Sequence, residues 1–437
     1  MQGARDAAQQ AAGSAPAQAR KHPALRRELS LLDAVGIGVN GIVGSGVYLL
    51  VAPLARAGGA SSVAGVLSCG VLCVLIALCF AELSSMYDRS GGPYVYARDA
   101  FGKGVGFAVG WLGMATGVLG LAAVSVGFAG ALARFVPAAA AARAPIGVAI
   151  IAVLGIINWI GVKQGARTST ALSIVKIAPL ALVALAGLRF AGQARLAFDP
   201  RDAARAAFLS IFMMSGFEFA AVPAGEVREA RRTVPLAVVG SIAGASVLYA
   251  LLQLASLGAL PDLAAREQPL PDVAVRALGA WGGTLLGVAA LVSMLGFCAG
   301  VALIAPRYFT AMAEDGFLPA PVREIRPAIV ASTAFASGLA IVLEYASLVD
   351  VSNVVILSGY ALTCLAALVL RIRRAAAPRR YKPPLAVPVL AFASAVALLV
   401  AARPGLDQWR FSAWLLLLGF ACWGATALAR RARRPQP

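Results

Sequence analysis

Two glycine–serine steps and two ionisable side chains each fall inside an otherwise apolar stretch. Gly44-Ser45-Gly46 lies in the first such stretch, which also holds Gly36, Gly38 and Gly41; Ser215-Gly216 lies near the centre of the sixth. Each glycine weakens a helix by ~1 kcal/mol, so this density predicts interrupted helices. An interruption leaves N–H groups at the start of one half-helix, and C=O groups at the end of another, without intrahelical partners. The first set carries partial positive charge and suits a carboxylate; the second suits an ammonium. Small residues also allow plain close packing of helices, as in Gly-x-x-x-Gly contacts. Two glycines around one serine in mid-stretch favour a break. Lys176 and Glu218 lie in apolar surroundings where charge is costly, which makes both functional candidates.

Other chemistries find few residues. The one histidine, His22, lies in the polar N-terminal segment, so no His triad or His-ligated metal site is expected in the apolar part. The six cysteines, Cys69, Cys73, Cys79, Cys298, Cys364 and Cys422, all fall in apolar stretches, where they pack as small hydrophobes. No pair has the spacing of a zinc or redox motif. No nucleophile–base set or paired aspartates occur, so the chain does not read as an enzyme, and no cofactor is expected.

The elements that must position these residues are membrane spans. The chain is 60% hydrophobic and 13% charged, far from the roughly 25% charged residues of a soluble domain. Apolar stretches of roughly 20 residues recur, each able to cross a hydrocarbon core of ~30 Å as a helix. Helices are expected near 31–54, 62–86, 104–134, 145–162, 169–189, 204–223, 234–259, 282–312, 328–345, 349–371, 384–402 and 410–429. The net charge of +18 sits in short loops and at the ends rather than on one face, which is an orientation signal and not a nucleic-acid surface. Most of the 38 Lys and Arg fall in the tails and even-numbered loops. With twelve spans this places both termini in the cytoplasm of an inner-membrane protein, against one basic cluster, Arg189, Arg195, Arg201 and Arg205, in an odd loop. The two breaks lie at comparable depths from the starts of their helices, Leu31 and Ala204. Interrupted helices at matching positions of two halves point to an inverted repeat with a midplane site.

Five segments carry a family likeness. They are Gly38-Val39-Asn40-Gly41-Ile42-Val43-Gly44-Ser45-Gly46-Val47-Tyr48; Ala81-Glu82-Leu83-Ser84 with Ser90-Gly91-Gly92-Pro93-Tyr94-Val95-Tyr96; Ser215-Gly216-Phe217-Glu218; Glu226 through Arg232-Thr233-Val234-Pro235; and Arg307 with Ala311 through Pro319. In this order they resemble the amino acid–polyamine–organocation transporters, the first most closely the arginine/agmatine antiporter group. The resemblance implies a LeuT-like fold, all α-helical, with five plus five inverted helices and two more. The divisions are a disordered tail over 1–30, repeats over 31–190 and 203–373, two added helices over 383–430 and a basic tail over 431–437. The implied function is sodium-independent secondary transport of amino acids or related amines by alternating access. Uniport, proton symport and exchange stay open; a nontransporting amino-acid sensor is the alternative.

Within that reading, Gly44, Ser45 and Gly46 receive the substrate carboxylate, Ile211, Phe212 and Ser215 receive its ammonium, and Ile42 is a further substrate-binding candidate. Phe212 either covers the substrate as a gate or simply packs. Ser293, and less directly Met294, are further pocket candidates. Lys176 lies nine positions from Arg167, ~13 Å along a helix. Its position resembles that of family lysines whose ammonium replaces sodium; the alternative is a cation that ties helices one, five and eight together. Both disfavour a sodium ion there, since two cations repel in low dielectric. Glu218 either relays protons or holds helices by hydrogen bonds. Tyr94 is an inner gate or an interfacial anchor, and begins helix three together with Tyr96. Glu82, Glu226, Arg232 and Arg307 are expected to form ion pairs on the cytoplasmic side. No acidic partner for a guanidinium is apparent, which leans the substrate towards neutral or small molecules.

Overall fold

The computed structural model of the 437-residue chain describes residues 30–87, 92–160, 166–221, 227–379 and 381–432. The expectations for the N-terminal tail with His22, for Ser90 and Gly91, for Glu226 and for the last five residues lie outside them.

The first helix starts where its caps dictate. Ser30 Oγ accepts the Asp33 N–H at 3.3 Å and the Asp33 carboxylate accepts the Ser30 N–H at 2.9 Å, a capping box that satisfies two orphan donors. Helix α1 then runs Leu31–Ile42, stops, and resumes as the short α2 (Gly46–Leu49) and α3 (Val51–Gly58). Gly59, at φ +46°, turns the chain into α4 (Ser62–Ser84). Helix α5 (Pro93–Phe101) precedes α6 (Lys103–Leu132), α7 (Arg143–Ile160) and α8 (Ala166–Gly187). The sixth span opens with Asp199, whose carboxylate accepts the Arg201 and Asp202 N–H groups at 2.8 and 3.0 Å. Those two bonds, Asp202's first, hold its carboxyl below the usual range. Helix α9 (Pro200–Met214) ends at Ser215, and a short 3-10 turn follows at Phe217–Ala221. Next come α10 (Ala230–Ala259), α11 (Pro269–Leu278), α12 (Ala280–Glu314), α13 (Ile325–Val342), α14 (Tyr345–Arg373), α15 (Ala386–Ala402) and α16 (Leu406–Ala432).

Among the described residues ten stretches are long and apolar enough to cross a membrane, and α15 is a shorter apolar helix. The remaining expected span, the sixth, is the one broken after Met214. Among the described residues the architecture is all-helical, and these eleven helices and the broken sixth correspond to the expected spans. Two expectations about elements need correction. Tyr94 and Tyr96 do not begin helix three; they sit on the separate α5, which Gly102 at φ +91° sets off from α6. Helix α11, in the loop before the eighth span, was not expected.

Packing separates a central group from a rim. In the best apolar window of α6, 83% of residues are buried; in the span containing α7 the figure is 17%. Rim helices point Ile156, Ile160, Leu185, Val342 and Leu417 outwards, as lipid contact requires. The helix pairs follow a rule: α4 packs on α10, α6 on α12, α7 on α13, and the first span on the sixth. The first four spans thus each meet the one five places further on.

Candidate functional site

The two interrupted spans cross backbone to backbone. Gly216, at φ +107°, occupies a conformation side chains rarely adopt. A methyl on Gly41 would lie 2.5 Å from the Gly216 carbonyl oxygen and 2.9 Å from the Phe219 ring, and one on Gly46 would lie 2.7 Å from Met213 Cα. The glycines are therefore required by contact between the spans, beyond their effect on helix propensity.

At the first break, side chains from three other helices take the carbonyls ending α1. Ser293 Oγ donates to Val43 at 3.0 Å and Tyr249 OH donates to Ile42 at 3.3 Å. Lys176 Nζ donates to the Asn40 side-chain oxygen and, at 3.1 Å, to the Val43 carbonyl. Lys176 is fully buried and lies against Gly296 of α12, where a methyl would meet its Nζ at 3.2 Å. Helices one, five and eight thus meet at this ammonium. The N–H groups opening the next half-helix, at Ser45, Gly46 and Val47, belong to a first turn that has no intrahelical acceptors. At the second break, the Ile211 carbonyl takes the Ser215 N–H and the Phe212 carbonyl takes Ser215 Oγ, both at 2.9 Å.

A cavity lies between the breaks. Ile42, Gly44, Ser45, Gly46, Phe212 and Ser215 line it. Ile211 and Ser293 do not: both are buried behind it, Ser293 supporting the α1 carbonyls and Ile211 bonded within α9. Met294 is likewise buried outside it. Thr116, Gly120 and Val124 of α6, with Phe219, Phe297 and Ile356, complete the wall. The Gly110, Gly113, Gly117, Gly120 stripe on α6 was a legible sign of close approach; Phe297 and Ile356 carried none. The cavity offers about 20 Å³ to water centres, room for about one water.

On one side the cavity is separated from a vestibule of about 1210 Å³ by a single layer. Tyr345, which lines the vestibule, meets the Phe212 ring edge-on at 6.4 Å, and its hydroxyl lies 3.4 Å from Ser45 Oγ. On the other side the barrier is deep. Phe80, Phe217 and Tyr360 pack ring on ring, and Tyr360 OH donates to the Glu218 carboxylate at 2.7 Å, which also accepts the Gly216 N–H at 2.9 Å. Beyond lies a charged layer. Glu82 pairs with Arg371 at 2.6 Å and Arg379 at 3.2 Å, all three buried. Tyr94 donates to Asp315, which Arg98 approaches at 2.5 Å; burial and the Asp315 carboxylate raise the Tyr94 phenol above its ordinary range. Arg307 instead bonds the Leu303 carbonyl of its own helix, and Glu82 pairs with Arg371 of α14 and Arg379 just after it. Arg232 is exposed; Glu226 is outside the described residues.

A family model described as amino acid permease matches residues 29–422. The chain belongs to the amino acid permease family. Similar members include a vacuolar cationic amino acid transporter of Arabidopsis thaliana, 26% identical over 84% of this chain and 65% of its own length. The chain thus covers less than two thirds of that relative. An uncharacterized transporter of Mycobacterium bovis is 31% identical over 69% of each chain. A serine/threonine exchanger of Bacillus subtilis is 27% identical over 84% of this permease-family chain and 89% of its own.

Proposed function

We propose that this chain carries an amino acid or a related small amine across the inner membrane by alternating access, with the substrate held between the two breaks. The observation that carries the reading is the pairing of a closed cavity, framed by both interrupted spans, with a wide vestibule on one side and a deep barrier on the other. That asymmetry suits an outward-facing carrier at the point of closure. The substrate carboxylate meets the free N–H groups of Ser45 and Gly46; its ammonium meets the carbonyl end of α9 around Phe212. Phe212 and Tyr345 form the thin outer gate. Glu82, Tyr94 and their partners form the inner one. The spacing of five between packed spans supports the division into repeats over 31–190 and 203–373. The basic loops favour a cytoplasmic position for the charged barrier and both termini. Lys176 occupies the carbonyls a sodium ion would need, so coupling does not use sodium there; protons, taken up at Glu218 or Lys176, or exchange of substrates supply the drive. The named activities of the relatives, on cationic amino acids and on serine and threonine, agree with the substrate class without fixing the side chain.

The test is flux. Purified protein in liposomes is offered a panel of labelled amino acids and amines. Uptake of at least one, saturable and dependent on the protein, is expected. Binding without any uptake or exchange would make the chain a sensor instead.

A further inference from the structure

Helix α14 sets one face along the whole proposed path. Tyr345 and Val349 line the vestibule, Ile356 lines the cavity, and Tyr360 donates to Glu218. Spacings of three and four residues keep a row on one side of a helix. Asn353 belongs to that row, four residues after Val349 and three before Ile356. It is fully buried, and neither its Oδ1 nor its Nδ2 has a hydrogen-bond partner among the described residues. Other polar side chains of the same helix are satisfied locally: Ser352 and Thr363 bond the carbonyls of Leu348 and Gly359. A buried amide left unpaired costs about 1–3 kcal/mol, and leucine would fill the same space without that cost. Folding alone gives no reason for an asparagine here.

We propose that the Asn353 amide is the group that reads the substrate side chain, and that it selects a neutral polar one, a hydroxyl or a carboxamide. The inference rests on the transport reading. Once the breaks hold the carboxylate and ammonium, the side chain must project away from α1 and α9, towards the wall formed by α6 and α14. The closed cavity admits about one water, so any amino acid must push that wall back, and Asn353, which does not line the closed cavity, lies one turn from Ile356 on the same helix. An amide carries both donors and acceptors, which matches groups that also do both. Among the described residues none lining the cavity is charged, and the nearby charges are engaged, Lys176 by the α1 carbonyls and Glu218 by Gly216 and Tyr360.

The test uses threonine and valine, which share a shape and differ in one hydroxyl. Affinities are measured on the full chain by competition against a transported amino acid. The wild type should bind threonine at least about tenfold tighter than valine, because a site built to hydrogen-bond rejects the analogue lacking the group. Asn353→Leu should remove that preference by weakening threonine while sparing valine. A wild-type ratio near one overturns the inference with no variant needed. A preference that persists in Asn353→Leu, or in Asn353→Ala should the first not fold, also overturns it. If the wild type binds threonine, valine and every other amino acid offered equally poorly, the transport reading falls first and this inference with it.

Discussion

Ser45 lines the cavity with its hydroxyl 3.4 Å from the hydroxyl of Tyr345, which lines the vestibule. Ser45→Leu should fill the space of the substrate carboxylate and cut affinity by about 100-fold, some 2.7 kcal/mol, with the protein still inserted and folded. Gly46→Leu is a harsher change, since even a methyl there meets Met213 main chain; it should loosen the crossing of the spans and lower thermal stability as well. Unchanged affinity in Ser45→Leu would reject the carboxylate site. Lys176 makes a different prediction. Its ammonium joins three spans but lies outside the cavity lining, so Lys176→Ala should slow flux about tenfold or more while leaving affinity within about threefold, because only differential free energy between states shifts their balance. Wild-type uptake should be unchanged when choline replaces sodium. A sodium requirement would remove this lysine from the scheme. The glycines and Lys176 were legible in the sequence because each contradicts its apolar surroundings. Ile356 and Phe297 were not, because an apolar residue facing a cavity looks the same in sequence as one facing lipid. Asn353 was overlooked for another reason: a neutral amide in a span raises no charge alarm, and its lack of partners is a property of three dimensions.

At the scale of elements, the sequence located both breaks and the order of spans, since hydrophobic length and glycine density are local properties. It did not reveal which arginines meet Glu82. Arg371 and Arg379 lie nearly three hundred residues away, and the pair is made by α14 returning beside α4 and by the turn after α14. Any of the loop arginines satisfied the sequence argument; only packing selects these two. The pair is buried, so removing one partner leaves the other charge uncompensated at a cost of about 3–5 kcal/mol. Glu82→Gln and Arg371→Gln should each lower the melting temperature clearly. The double variant should lose much less than the sum of the two, since contacting residues couple. Additive losses would show that the two side chains act separately and that the charged layer is not a lock. A lock also has a kinetic signature. The same variants should favour the state open to the charged face, and so raise the exposure of that face in the absence of substrate.

For the whole molecule, the asymmetry between one wide vestibule and one deep barrier makes sidedness measurable. Ala346 is exposed in the vestibule, and Ala375 is exposed beyond the charged barrier, after α14. Five of the native cysteines are buried and Cys422 is half-buried, so the background to thiol labelling is low. In intact cells a membrane-impermeant maleimide should label Ala346→Cys and spare Ala375→Cys until the membrane is permeabilised. The opposite pattern would put the arginine-rich face outside and overturn the orientation drawn from the loops. The same pair reports on alternation. Opening the charged face must close the vestibule if the cavity is never open to both sides, and Ala346 lies where Tyr345 and Phe212 would come together. Labelling of Ala346→Cys should therefore fall when Glu82→Gln is added, because weakening the lock shifts population toward the state in which the vestibule is shut. A vestibule equally reactive with and without that change would mean that the two faces open independently. The breaks would then be a binding site without a coupled gate, and the carrier cycle proposed for this fold would not apply to this chain.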